Sequence, residues 1–151
     1  RQSARAIIPT IISQIANNQK EIFLGSLSPT RDFMYVSDTV NGFYHAYKNK
    51  SKNGEVINIG SGYEITMKDL VKTISNIMQT KINIRTDKKR IRPINSEVKR
   101  LLCNNKKAKK TIKWVPKFSG MTGLRKSLSE TINWYSDPVN LNKFKSKIYN
   151  L

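Results

Sequence analysis

Cysteine occurs once in 151 residues, as Cys103. No intramolecular disulfide can form, which excludes the small disulfide-stapled secreted scaffold and fits a reducing, cytoplasmic compartment. Histidine also occurs once, as His45. A lone histidine and a distant cysteine do not make a zinc site, so a structural role for His45 is the better reading. No run of about 18 apolar residues exists, which excludes a hydrophobic membrane helix. The early run Ala6-Ile7-Ile8 stops at Pro9, too short for a signal peptide. Acidic side chains are scarce: 10 Asp and Glu face 28 Lys and Arg, for a net charge of +18. The excess sits in residues 76–151, with nineteen basic and four acidic side chains against nine and six before them. A basic half raises nucleic acid as a partner. Lys, Asn and Ile supply 53 of the residues, however, the usage of an AT-rich genome, so solvated lysines are the preferred reading. Methionine is missing from the first position, and the opening Arg1-Gln2-Ser3 reads as the start of a fragment.

What is present alternates between strand and helix signals, which makes the class α/β. Pro9 suits a first helical residue, followed by Ile11, Ile12 and Ile15 on one face and a stop at Asn17-Asn18. Asp38 suits an N-cap, with Val40, Phe43, Tyr44 and Tyr47 at helical spacing after it. Thr66 and Asp69 resemble a capping box ahead of Leu70, Val71, Ile74, Ile77 and Met78. A short helix is expected over Asn105–Thr111, and a longer one from Gly120 carries Leu124, Leu128, Ile132 and Tyr135. Strands are expected at Glu21–Leu24, Phe33–Val36, Val56–Ile59, Ile82–Ile84 and Arg100–Cys103. The polar stretch from Thr86 to Lys99 reads as a long functional loop. Residues 1–137 are taken as one region and residues 138–151 as a loosely held basic tail.

Chemistry-bearing motifs are few. Gly60-Ser61-Gly62 follows a strand signal, but a dinucleotide fingerprint needs a glycine where Ile65 stands. A tight turn explains both glycines. Cys103 beside Leu101-Leu102 reads as a buried, inert thiol. Two loop arginines remain, in Arg31-Asp32-Phe33 and Arg92-Pro93. A guanidinium grips phosphate oxygens bidentately and keeps its charge at neutral pH. Two of them from separate loops could hold a diphosphate, with Glu97 accepting from sugar hydroxyls.

Read in order, these segments resemble the C-terminal, substrate-binding part of the extended short-chain dehydrogenases that epimerise or dehydrate nucleotide sugars. Arg1-Gln2-Ser3 resembles the end of a Gly-Pro-Arg segment. Arg31–Asp38, Asn58–Gly62, Arg92-Pro93, Trp114-Val115-Pro116, Gly123-Leu124 and Trp134 match the family's later elements in sequence. The stretches Leu24–Thr30 and Arg92–Cys103 are most similar to NAD-dependent 4,6-dehydratases of UDP-N-acetylhexosamines, used in making nonulosonic acids such as legionaminic acid. A UDP-glucose-type 4-epimerase is the nearest rival. Two departures stand out: Asn104-Asn105-Lys106 where Asp-Asn-Ser is usual, and Lys113 where glycine commonly precedes the tryptophan.

The resemblance implies a Rossmann-type fold of which this chain is the part without the dinucleotide-binding half. It implies that Arg31 and Arg92 bind the substrate diphosphate, that Glu97 lies near the ribose, and that the backbone at Ile8 and Pro9 lies along the uracil. NAD would be held by the N-terminal half. The family's Tyr-x-x-x-Lys base would lie there too. Tyr44 and Lys48 have that spacing but sit downstream of where the family places it. The expected partners are a UDP-sugar, the N-terminal half and, for the full-length enzyme, a second copy. The fragment is expected to be inactive alone. Two other readings predict different behaviour. A basic nucleic-acid module predicts strongly salt-sensitive binding. A nonfunctional remnant predicts poor folding, because the helix faces at Val40/Phe43 and Leu70/Ile74 would lack the sheet that buries them.

Overall fold

A computed structural model describes residues 6–49, 54–91, 93 and 95–141. Two compact units divide the chain, the first from residues 1–28, 67–97 and 128–151, the second from residues 29–66 and 98–127.

The first unit is built on α1 (Ile7–Ala16), β1 (Glu21–Leu24), α3 (Met67–Ile77) and β4 (Asn83–Thr86). β1 and β4 pair in parallel, with Glu21 opposite Asn83 and Leu24 opposite Thr86. Ile22 and Leu24 are buried from β1, Leu70, Val71 and Ile74 from α3, and Ile11, Ile12 and Ile15 from α1. Burial of such side chains is the main source of stability, at about 25 cal/mol per Å² of apolar surface. The Leu70/Ile74 face is therefore covered within this chain, contrary to the expectation that it needs further sheet. α1 starts at Ile7, two residues before Pro9. Pro9 is still tolerated there, since the first turn of a helix leaves its N–H groups without intrahelical partners. The helix is buried nearly all round, and its polar side chains turn inward on backbone: Thr10 Oγ1 donates to Ala6 at 2.9 Å and Gln14 Nε2 to Thr10 at 3.1 Å. Gln14 also pairs with β1. Its Oε1 accepts the Phe23 N–H at 2.9 Å and its Nε2 donates to the Phe23 carbonyl at 3.5 Å. The stretch 86–99 is not structureless, because a 3-10 turn spans Lys88–Arg90. Asp87 caps it through Lys89 N–H and holds Arg90 at 3.1 Å.

The second unit contains β2 (Thr30–Asp32), α2 (Val36–Lys48), β3 (Glu64–Thr66), β5 (Arg100–Leu101) and α4 (Lys106–Ile112). β2 is central, antiparallel to β3 and parallel to β5. The strand expected at Phe33–Val36 lies instead at Thr30–Asp32, because Val36 already opens α2. Asp38 is not the N-cap either, since Tyr35 occupies that position. The Asp38 carboxylate is buried and accepts the backbone N–H groups of Lys117 and Phe118 at 3.0 and 2.8 Å. The core of this unit is Ala108, Ile112 and Trp114, against which Met34, Ile57 and Ile59 pack. Gly42 brings α2 onto it: a Cβ there would stand 2.9 Å from Ile59 Cδ1 and 3.5 Å from Trp114 Cε2. His45 and Asn49 finish the helix contact by meeting the carbonyls of Ile112 and Thr111 at the end of α4, at 3.0 and 2.7 Å. His45 thus has the structural role read from the sequence.

One strand expectation fails in this unit. Val56–Ile59 forms no strand, although its burial alternates, Val56 and Asn58 outward, Ile57 and Ile59 inward. Among the described residues it has no neighbouring strand to pair with. The apolar stripe of α2 lies uncovered: Val40 is 62% exposed, Phe43 68% and Tyr47 80%. Lys113 explains one oddity of the sequence. It ends α4 in the left-handed region at φ 55°, ψ 29°. That conformation disfavours a Cβ, and glycine is the usual residue there. Lys113→Gly is expected to raise stability by up to about 1 kcal/mol in urea denaturation.

α5 (Gly120–Ser136) follows, with residues 120–127 in the second unit and 128–136 in the first. Leu124, Leu128, Ile132 and Tyr135 are buried along it as the spacing predicts, while Trp134 stays 39% exposed against the edge of Tyr135. α6 (Pro138–Leu141) is a single turn at the start of the tail.

Candidate substrate-binding site

Arg31 sits on the central strand of the three-stranded sheet, opposite Ile65 of β3 and Leu101 of β5. Its Nη1 donates to its neighbour's carbonyl, Thr30, at 2.7 Å and to the Val98 carbonyl at 2.6 Å. The guanidinium is thereby fixed in direction and tied to the residue that follows Glu97. Fixing a guanidinium before a ligand arrives lowers the ordering cost of binding it.

A second charged group braces this sheet. Glu64 on β3 receives Arg100 of β5 in a forked contact, Nη2 to Oε1 at 2.6 Å and Nε to Oε2 at 3.0 Å. The Thr30 hydroxyl of β2 adds a bond to Glu64 Oε2 at 2.6 Å. All three strands are therefore stitched through one carboxylate. The Arg100 guanidinium, and after it the Thr30 hydroxyl, hold Glu64 below the usual carboxylate range. A depressed pKa stabilises the fold above the unfolded value of 4.5, and that contribution is lost as pH falls through the folded value. Glu64→Gln should flatten the acid limb of a stability-versus-pH curve below about pH 4.5 and leave its shape at neutral pH unchanged. Superimposable acid limbs would show that this carboxylate is not specially held.

Asp32, next on β2, is the hub that the sequence did not reveal. Its carboxylate accepts Ser61 N–H and Gly62 N–H at 2.9 Å each, Cys103 N–H at 3.1 Å, and the Ser61 hydroxyl. Arg31-Asp32 and Gly60-Ser61-Gly62 were legible as separate motifs, but nothing in their spacing says that one holds the other. The same geometry answers whether the glycine turn could take a dinucleotide. A Cβ on Gly60 would run into Cys103 Cβ and stand 2.7 Å from its Sγ, and Gly62 faces Asn105. The amides that would cradle a pyrophosphate already bind a carboxylate. This turn does not fit NAD. Cys103 is half-buried rather than buried, and desolvation, then the Asp32 carboxylate, pushes its thiol up. A thiol so shifted is a poor nucleophile.

Ile8 and Pro9 are in the first turn of α1 in the first unit, with buried side chains. Glu97 is half-buried and follows Ser96, which caps its turn by bonding the Pro93 carbonyl at 2.9 Å. Arg92 lies outside the described residues. Tyr44 and Lys48 do not form a proton-transfer pair: the ammonium lies 4.9 Å from the ring centroid, over the face of an exposed ring. Among the described residues no helix is long and apolar enough to cross a membrane, and no acidic, histidine or cysteine cluster could hold a metal ion.

Comparison with known proteins gives a consistent kinship. A dTDP-D-glucose 4,6-dehydratase from Homo sapiens is 28% identical over 138 residues, covering 90% of this chain and 38% of its own length. The solved structure of an epimerase from Methanothermobacter thermautotrophicus superposes with a TM-score of 0.78 at 26% identity, over 93% of this chain and 40% of that one. A dTDP-glucose 4,6-dehydratase from Bacillus anthracis, solved in complex with NAD, gives 0.73 at 26% identity, over 91% and 41%. The chain thus spans about two fifths of the length of these relatives. Its α/β architecture is that of the corresponding portion of Rossmann-type epimerases and dehydratases. The sequence model described as GDP-mannose 4,6 dehydratase matches residues 1–127. The chain belongs to this family, that of the NAD-dependent nucleotide-sugar epimerases and dehydratases of the extended short-chain dehydrogenase type.

Proposed function

We propose that this chain supplies the diphosphate and nucleoside subsite of a UDP-sugar 4,6-dehydratase or 4-epimerase and is inactive alone. The observation that carries the reading is Arg31, an arginine on a braced central strand whose Nη1 is held by Thr30 and Val98 beside Glu97. In this reading Arg31 and Arg92 grip the diphosphate, Glu97 accepts from the ribose, and the backbone at Ile8 and Pro9 lies along the uracil. Residues 1–137 form the substrate region and 138–151 a basic tail. A UDP-N-acetylhexosamine is the favoured substrate, on the Leu24–Thr30 and Arg92–Cys103 stretches. The enzyme works in the cytoplasm as a homodimer, and NAD is held by the portion of the family fold outside this chain. That cofactor would supply oxidation of the sugar; the residues here bind and orient it.

The test is calorimetric titration with UDP and a UDP-sugar. Arg31→Ala is expected to weaken binding by about 10- to 100-fold, the scale of one charge-assisted contact. Arg31→Lys keeps charge but loses the fork, and should fall between. Because Arg31 also ties down Val98, each variant is checked for unchanged melting. Unchanged affinity in both Arg31→Ala and Arg92→Ala overturns the clamp. Tight, salt-sensitive binding of single-stranded DNA with no UDP binding would move the reading to the basic half.

A further inference from the structure

We infer that Glu64 and Arg100 are positioning residues for Arg31: their forked contact fixes where β5 lies along β2, and so where the Val98 carbonyl stands to aim the guanidinium. The inference rests on the reading of Arg31 as a diphosphate ligand and adds two residues that act behind it.

The need for such a device follows from how short the strands are. β2 and β3 have three residues each and β5 has two. β5 meets β2 at two positions, Arg100 opposite Thr30 and Leu101 opposite Arg31. One backbone bond at this join runs from the Thr30 N–H to the Lys99 carbonyl at 2.9 Å. Burial cannot set the register of β5, because Arg100 and Leu101 are both exposed. Register is strongly specified where one face of a strand is buried and weakly where neither is. A slip of one residue would carry the Val98 carbonyl about 3.3 Å along the strand. The 2.6 Å bond that it receives from Arg31 Nη1 would not survive that move.

The ion pair supplies the missing register. Arg100 leaves β5 beside Thr30, and its Nη2 and Nε donate to Glu64 Oε1 and Oε2 at 2.6 and 3.0 Å. The Thr30 hydroxyl donates to the same Oε2 at 2.6 Å, which ties the contact to β2. A fork of this kind fixes direction as well as distance. Arg100 can therefore make it at one position along β2. Successive side chains on a strand point to opposite faces. Thr30, Arg100 and Glu64 share the face opposite to the one from which Arg31 leaves β2. The pair thus lies behind the guanidinium, and its effect on a ligand passes through the backbone of β2 and β5. All these residues belong to the second unit. The Arg100 side chain is 68% exposed, and a solvated ion pair contributes little to stability. Removing it is expected to leave the unit folded and to release the register.

The experiment uses nuclear magnetic resonance on the full chain labelled with nitrogen-15. It follows the Arg31 Nε–H signal, assigned by its loss in Arg31→Ala. An order parameter near about 0.85 is expected in the parent chain and one below about 0.6 in Arg100→Leu. Arg100→Lys keeps the charge without the fork and should fall between. Titration of the same chains with UDP completes a double-mutant cycle. Arg100→Leu should weaken UDP binding by about three- to tenfold when Arg31 is present, and cause no further loss in Arg31→Ala. A rigid Arg31 in Arg100→Leu, or an equal loss of affinity in both backgrounds, overturns the inference. If Arg100→Leu does not fold, Glu64→Gln removes the charge from the other side and is read in the same way. A loosened Arg31 in a chain whose UDP affinity never depended on Arg31 supports the positioning and removes the diphosphate reading. Strong dependence on Arg31 with none on Arg100 removes the positioning and leaves the diphosphate reading standing.

Discussion

Trp114→Ala should lower the unfolding free energy by about 4 kcal/mol, the usual cost of removing a large buried aromatic side chain. The indole is 1% exposed and lies among Ala108, Ile112, Met34, Ile57 and Ile59. Gly42 of α2 and the αL residue Lys113 fix the backbone on either side, so the site cannot collapse easily around the void. Trp114→Phe should behave quite differently. The indole Nε1 is buried with no hydrogen-bond partner among the described residues. A buried donor left unpaired costs about 1–3 kcal/mol, and phenylalanine removes that donor along with some apolar area. The two changes oppose each other, and a net loss within about 1.5 kcal/mol is expected for an aromatic swap that keeps most of the volume. Urea denaturation of both variants checks the pair. Equal losses for alanine and phenylalanine would mean that the indole nitrogen is satisfied in solution.

Asp38→Ala is expected to cost about 3 kcal/mol, because it strands the buried Phe118 donor and the part-buried Lys117 donor at once. The carboxylate reaches from the first turn of α2 to Lys117 and Phe118, some eighty residues later in sequence. It joins α2 to the approach of α5 and also favours the positive end of the α2 dipole. Asp38→Asn should recover only part of the loss. One oxygen remains to accept an N–H, while the amide nitrogen confronts the other donor. Full stability in Asp38→Ala would require that water enters and satisfies both groups.

These two residues also show what could be read from sequence. The helices were legible wherever an apolar stripe met the core of this chain, as in α1, α3 and α5, because periodicity records burial directly. For α2 the stripe gave the helix but not its burial, since the side that packs inward is made of Asp38, Gly42 and His45. Asp38 was read locally as a cap, although its partners lie on a distant loop. Short strands fared worst. β3 was absorbed into the signal for α3, and Val56–Ile59 has strand alternation without a ladder. Pairing is a long-range property, and three-residue strands carry too few side chains to declare it. Of the site, Arg31-Asp32 and Gly60-Ser61-Gly62 were visible as motifs. The Asp32 hub and the Glu64 brace were not, because a lone acidic residue in sequence does not announce which amides or guanidinium it will meet.

The Gln14 amide on Phe23 has a consequence for how the small parallel ribbon in the first unit behaves at high concentration. The Phe23 peptide group turns away from β4, and it would offer a docking row to any stray chain. Gln14 fills that row with a donor and an acceptor of its own, imitating a peptide from a third strand. Because the amide is held inside α1, whose isoleucines are buried around it, it cannot be pushed aside without unseating the helix. A leucine at this position would match it in size yet leave the part-buried Phe23 N–H and carbonyl without partners, and such a chain should be less stable. One uncharged side chain closes this edge of β1, in a molecule that otherwise carries a large surplus of lysine.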